Sequence, residues 1–258
     1  MRKIILICLV IISLSLAGCS QTTGSGGTES IKPTAGTNDI AQINLKLGVE
    51  YLKRGEYEKS LTKLQKAQAA DPRYPPIYNT LGILHQQLGD KVTAEKYFKQ
   101  ALSLNSSDAS TLNNYGRFLC QDARYDEAEE TFLKAAQNPL YSTPEIALSN
   151  AGTCAMAQSR LDAAETHFRN ALEINPRVAV ALIQMSQISY ETASYLSARA
   201  YMQRYLEISS HTAKSLWLGI RIERELGDKN TLSSYTLLLK NKFPDSRETG
   251  LLEDSLTR

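Results

Sequence analysis

From Ala41 onward, small and bulky apolar residues return at a fixed interval, with polar residues between them. Gly48, Gly82, Gly116 and Gly152, followed by Ser186 and Ile220, mark one position at spacings of 34, 34, 36, 34 and 34. Twelve residues after each marker stand Ser60, Ala94, Ala128, Ala164, Ala198 and Leu232. Four further on come Leu64, Phe98, Phe132, Phe168, Met202 and Thr236, and three beyond those Ala67, Ala101, Ala135, Ala171, Tyr205 and Leu239. Between marker and second set, Gly55-Glu56, Gly89-Asp90 and Gly227-Asp228 share one phase. They read as the turn of a two-helix hairpin, Gly supplying the left-handed conformation at a helix end. Pro72, Pro176 and Pro244 close three of the units at a single phase. Pro disfavours helical geometry in the residue before it and so stops the second helix.

Self-similarity at this period is the mark of a solenoid, and the pattern resembles the tetratricopeptide repeat. The small residues belong where two helices cross closely, and the bulky residue between them fills the adjacent groove. The resemblance implies an all-α fold, a right-handed superhelical solenoid of six helix hairpins at 41–74, 75–108, 109–144, 145–178, 179–212 and 213–246. A hairpin cannot bury its face alone, so stability must come from stacking neighbours. Repeats five and six depart from the pattern, with Tyr205, Ile220 and Leu239 replacing small residues, as expected of end repeats. Residues 247–258 are polar apart from Leu251, Leu252 and Leu256, and read as a tail or a short capping helix.

The chain ahead of the repeats has a different character. Met1-Arg2-Lys3 is a positive start, and Ile4 to Leu16 is apolar apart from Cys8, Ser13 and Ser15. That run is too short for a membrane span of about 20 residues and fits a secretory signal peptide over 1–18. It ends Leu16-Ala17-Gly18-Cys19, which resembles the bacterial lipobox. The resemblance implies cleavage before Cys19 and lipidation of its sulfur. One acyl chain holds a membrane weakly and several hold it almost permanently. Ser20 stands where an Asp would resemble an inner-membrane retention signal, so the expected address is the outer membrane, facing the periplasm. Residues 19–40 are then a tether: 12 of the 20 residues from Ser20 to Asp39 are Gly, Ser or Thr. Its root-mean-square reach is on the order of 25 Å.

Composition narrows the chemistry. The chain of 258 residues is 42% apolar, enough for a sizeable core, and its formal charge is +2. Removing Arg2 and Lys3 with the leader leaves 27 basic against 27 acidic residues. A neutral chain without basic runs is a poor nucleic-acid binder. No Gly-rich phosphate loop, GxSxG, HExxH or Cys-x-x-Cys occurs. None of the three His has a second His at i+4, which argues against a metal site. Cys154 and His167, a nominal nucleophile and base, fall on different helices of one packing unit. Neither cofactor, small-molecule substrate nor enzymatic activity is expected.

Stacked hairpins curl so that their first helices line a concave face, the usual partner site in such repeats. By analogy with the repeat family, positions 2, 5, 9, 12 and 13 of each unit face that groove. They include Leu45, Val49 and Leu52 in repeat one, Asn79, Ile83 and Gln86 in repeat two, and Asn113 and Arg117 in repeat three. Repeat six contributes Lys214, Trp217, Arg221, Arg224 and Glu225. The N-terminal half thus offers an apolar strip edged by amides, suited to an amphipathic helix or an extended peptide. The competing reading is that Leu45, Val49 and Leu52 pack on the tether or on a neighbouring helix. The Lys, Asn and Arg set with which some such repeats clamp a C-terminal carboxylate is not found. Cys120 and Cys154 fall in the first helices of repeats three and four. In an oxidising periplasm they can form a disulfide; alternatively they are two buried thiols filling small sites.

Two stretches carry a more specific likeness. Asn113-Asn114-Tyr115-Gly116-Arg117-Phe118-Leu119-Cys120 runs on through Arg124-Tyr125-Asp126-Glu127-Ala128 to Asn138-Pro139-Leu140-Tyr141. Asn150-Ala151-Gly152-Thr153-Cys154 precedes Ala163-Ala164-Glu165 and Phe168. With the lipobox, tether and six repeats, they resemble the PilF/PilW family of type IV pilus biogenesis lipoproteins. The resemblance favours the Cys120–Cys154 disulfide. It implies a pilotin: a non-enzymatic, lipid-anchored outer-membrane protein that binds the pilus secretin subunit and promotes its localisation and ring assembly. The competing expectation is a periplasmic repeat lipoprotein that docks peptidoglycan synthases or hydrolases.

Overall fold

The computed structural model describes residues 39–256. The leader, Cys19 and the tether up to residue 38 lie outside the described residues. Among the described residues there are thirteen α-helices and no strand. They run α1 Asp39–Lys53, α2 Tyr57–Ala70, α3 Pro75–Gln87, α4 Lys91–Leu104, α5 Ala109–Gln121, α6 Tyr125–Ala136 and α7 Pro144–Ala157. There follow α8 Leu161–Ile174, α9 Ala179–Glu191, α10 Tyr195–Leu206, α11 Ala213–Leu226, α12 Lys229–Lys242 and α13 Arg247–Leu256. Odd and even helices from α1 to α12 form six antiparallel hairpins, and α13 packs on α11 and α12. The first helix starts at Asp39, two residues before the first repeat boundary drawn from the sequence.

Local chemistry sets the ends. Asp90, Asp108 and Asp228 accept the backbone N–H of Thr93, Thr111 and Thr231, and Thr212 with Ser215 forms a capping box. Pro occupies the first turn of α3 and α7, where a missing N–H costs nothing. The αL turn residue is Gly55, Gly89 and Gly227 in three hairpins and Ala123, Ser159 and Ala193 in the other three. The phase is the one the glycines mark, but the conformation is imposed there on side chains that disfavour it.

Inside each hairpin the crossing is as tight as the small residues allow. A β-carbon on Gly82, Gly116 or Gly152 would come within 2.8 Å of the ring of Phe98, Phe132 or Phe168. Those three rings are at most 1% exposed. In repeats one and five a serine joins the two helices: Ser60 Oγ donates to Gly48 O and Ser186 Oγ to Ala198 O, each at 2.8 Å. Repeat six corrects the sequence reading. The crossing position is Gly219, not Ile220: a β-carbon on Gly219 would lie 2.8 Å from Tyr235. A one-residue offset turns a helix by about 100°. Ile220 therefore points instead into a cluster with Leu216, Leu239 and Leu252 of α13, all at most 1% exposed.

Candidate protein-binding groove

The backbones of the first helices approach one another closely along the stack, α1 to α3, α3 to α5, α5 to α7, α7 to α9 and α9 to α11, whereas the backbones of successive second helices up to α12 do not. The first helices therefore line the inner side of the curve. Among the described residues, no helix crosses that side.

At its N-terminal end the floor is apolar. Leu45 and Leu52 of α1 are half-buried against the cluster of Leu64, Ile77, Leu81 and Leu84. Ile83 of α3 is half-buried against Phe98 and Phe118. Val49 is half-buried and belongs to no such cluster. Arg117 of α5 is exposed.

The amides do something the sequence did not reveal. Asn114 Nδ2 donates to Asn79 Oδ1 at 3.1 Å, Asn150 Nδ2 to Asn113 Oδ1 at 2.9 Å, and Gln86 Nε2 to Gln121 Oε1 at 2.6 Å. They bridge α3 to α5 and α5 to α7. Asn113, assigned to the groove from its repeat position, is only 8% exposed and works as a brace between helices. Asn79 and Gln86 remain half-buried at the groove and offer a partner only the capacity their bridges leave. The recurrence of Asn at 79, 113–114 and 150 was the visible signal for this ladder. Beside it, Cys120 and Cys154 are joined in a disulfide with Cα atoms 5.9 Å apart, tying α5 to α7.

Charged side chains brace the outer, second-helix layer. Glu95 of α4 accepts from Arg124 at 2.7 Å and from the Tyr115 hydroxyl at 2.9 Å. Hydrogen bonds from Arg124 and Lys99 hold its carboxyl down at about 2, while burial and Glu95 push Tyr115 up to about 12. His167 Nε2 lies 2.8 Å from Glu129, which also pairs with Arg160 at 2.9 Å. Arg199 pairs with the buried Glu223. Among the described residues no group of three or more His, Cys, Asp or Glu could hold a metal ion. Cys154 is bonded to Cys120 and His167 to Glu129, so the two do not form a dyad.

Family models described as TPR repeat and tetratricopeptide repeat match residues 48–89 and 79–142. Matches and helix geometry together define a tetratricopeptide-repeat solenoid whose inner face no helix crosses among the described residues. The type IV pilus assembly protein PilF of Pseudomonas aeruginosa is 30% identical over 238 residues, covering 92% of this chain and 93% of that one. The chain belongs to the PilF/PilW family of type IV pilus biogenesis proteins. A solved structure from a functional characterisation of P. aeruginosa PilF is 29% identical, with a TM-score of 0.77 over 84% of this chain and 98% of that one. A structure of PilW, described as a widely conserved type IV pilus biogenesis factor, is 28% identical, with a TM-score of 0.75 over 84% and 99%.

Proposed function

We propose that this chain is a pilotin: a non-catalytic outer-membrane lipoprotein that binds the type IV pilus secretin subunit and promotes its localisation and assembly into multimers. The observation that carries the reading is the match to PilF over nearly the whole length of both chains, which a likeness between repeats alone would not produce. The N-terminal half of the inner face supports it physically. Leu45, Val49, Leu52 and Ile83 make an apolar strip that an amphipathic or extended segment can bury, and Arg117 stands exposed further along the groove. Lipidation at Cys19 would confine the domain to the inner surface of the outer membrane. The tether would let it search, and confinement raises the local concentration of a captured subunit.

The test is Val49→Glu combined with Arg117→Glu, chosen because neither side chain belongs to a core cluster. Detergent-resistant secretin multimers should fall about tenfold or more while the protein keeps its helical spectrum. Unchanged multimers in a folded, normally abundant variant would refute the site. Cys19→Ala should release the protein from the outer-membrane fraction; retention there would refute the anchor.

A further inference from the structure

The C-terminal end of the inner face has a chemistry unlike the apolar strip. Lys214, Trp217, Arg221 and Arg224 recur on α11 at i, i+3, i+7 and i+10, one face of the helix. The Arg221 guanidinium sits over the Tyr190 ring of α9 at 4.6 Å and over Trp217 at 5.8 Å. It donates to Gln187 Oε1 at 3.3 Å, and its Nε reaches no acceptor among the described residues. Arg224 donates to Ser255 Oγ at 3.2 Å. Among the described residues none of Lys214, Arg221 and Arg224 is in an ion pair, whereas Arg199, on the neighbouring α10, pairs with Glu223 of α11. Glu191 and Glu225 stand at the ends of α9 and α11, and Gln187 Nε2 donates to Glu191 at 2.6 Å.

We propose that this face of α11 is a second docking surface, for an extended acidic segment of a partner protein. The aromatic pair holds Arg221 in place before any ligand arrives, leaving its charge uncompensated. Arg, Trp and Tyr together are the composition of an interface hot spot. The three cations span about 15 Å of helix, too long for one terminal carboxylate. In an extended segment, carboxylates at alternate residues recur on one side every 6.6 Å or roughly so, and two or three of them match that length. The inference stands apart from the secretin reading, since it uses neither the apolar strip nor the anchor.

Trp217 is the chain's single tryptophan, so its fluorescence reports on this surface directly. The probe is an end-blocked hexapeptide alternating glutamate with leucine, titrated into the full chain. A saturable shift is expected that weakens in raised salt. The same peptide with glutamine for glutamate should bind about tenfold or more weakly. Arg221→Gln should lose binding, and so should Lys214→Gln with Arg224→Gln, two exposed changes that leave the aromatic stack intact. Equal binding of the glutamine peptide would overturn the proposal. So would an Arg221→Gln variant that is less stable yet binds normally, or tighter binding of a glutamine peptide with a free C-terminus. A response to phosphatidylglycerol vesicles with none to the acidic peptide would overturn it as well.

Discussion

Gly219 and Tyr235 meet across the sixth hairpin so closely that a β-carbon on Gly219 would lie 2.8 Å from the ring. The neighbouring Ile220, which keeps the 34-residue beat, is fully buried against other partners. Were Ile220 the crossing residue, Gly219→Ala would be neutral or slightly stabilising, because Ala is the better helix former. The observed contact predicts the opposite sign, a loss of about 1–3 kcal/mol from overpacking. Denaturant unfolding of Gly219→Ala measures it.

Ala123, Ser159 and Ala193 hold φ of 59, 59 and 56° where the other hairpins use Gly. A side chain there carries a cost that Gly avoids, partly offset by the greater freedom of Gly when unfolded. Ala123→Gly and Ala193→Gly should each stabilise the protein by about 0.5–1 kcal/mol, read as a higher denaturation midpoint. The reverse change, Gly89→Ala, should lower it.

Glu95 ties Arg124 and Tyr115 together, and its carboxyl is held from 4.5 down to about 2 in the folded protein. A carboxyl whose folded value is depressed adds stability that is fully present above its unfolded value and disappears as pH falls through the folded one. The loss attributable to this site therefore falls between pH 4.5 and about 2. Glu95→Gln should be less stable at neutral pH and lose less on acidification through that window. Parallel pH profiles for the two proteins would remove Glu95 from the account.

The Cys120–Cys154 bridge closes a loop with a sequence separation of 34. Denatured, unreduced protein lacking residues 1–19 should show no free sulfhydryl in a thiol titration. Replacing both cysteines by Ser should cost on the order of 3–4 kcal/mol. Two titratable thiols in the unreduced protein would contradict the bridge.

What could be read from the sequence was what volume dictates. Gly82 against Phe98 and Gly116 against Phe132 are steric necessities of a close crossing, so their spacing exposes the hairpins without any structure. Gly219 escaped because a regular beat points to Ile220, and only the packing of α13 shows where Ile220 is needed. The αL turns at Ala123, Ser159 and Ala193 escaped because the expected glycine signal is missing there. In the groove, Leu45 and Ile83 were legible as apolar positions on the first helices. Asn113 was misplaced because its partner, Asn150, lies a whole repeat away. The cation stripe of α11 was visible as residue types, but its stack on Tyr190 depends on how α9 and α11 lie together.

On the reading proposed above, the first-helix face grips the secretin subunit. Co-purification from envelope extracts tests it most directly, using the full-length protein and the Val49→Glu, Arg117→Glu variant side by side. Secretin should come down with the unaltered protein and be lost with the variant. Recovery of peptidoglycan enzymes without secretin, or of secretin in equal amount with both proteins, would contradict it.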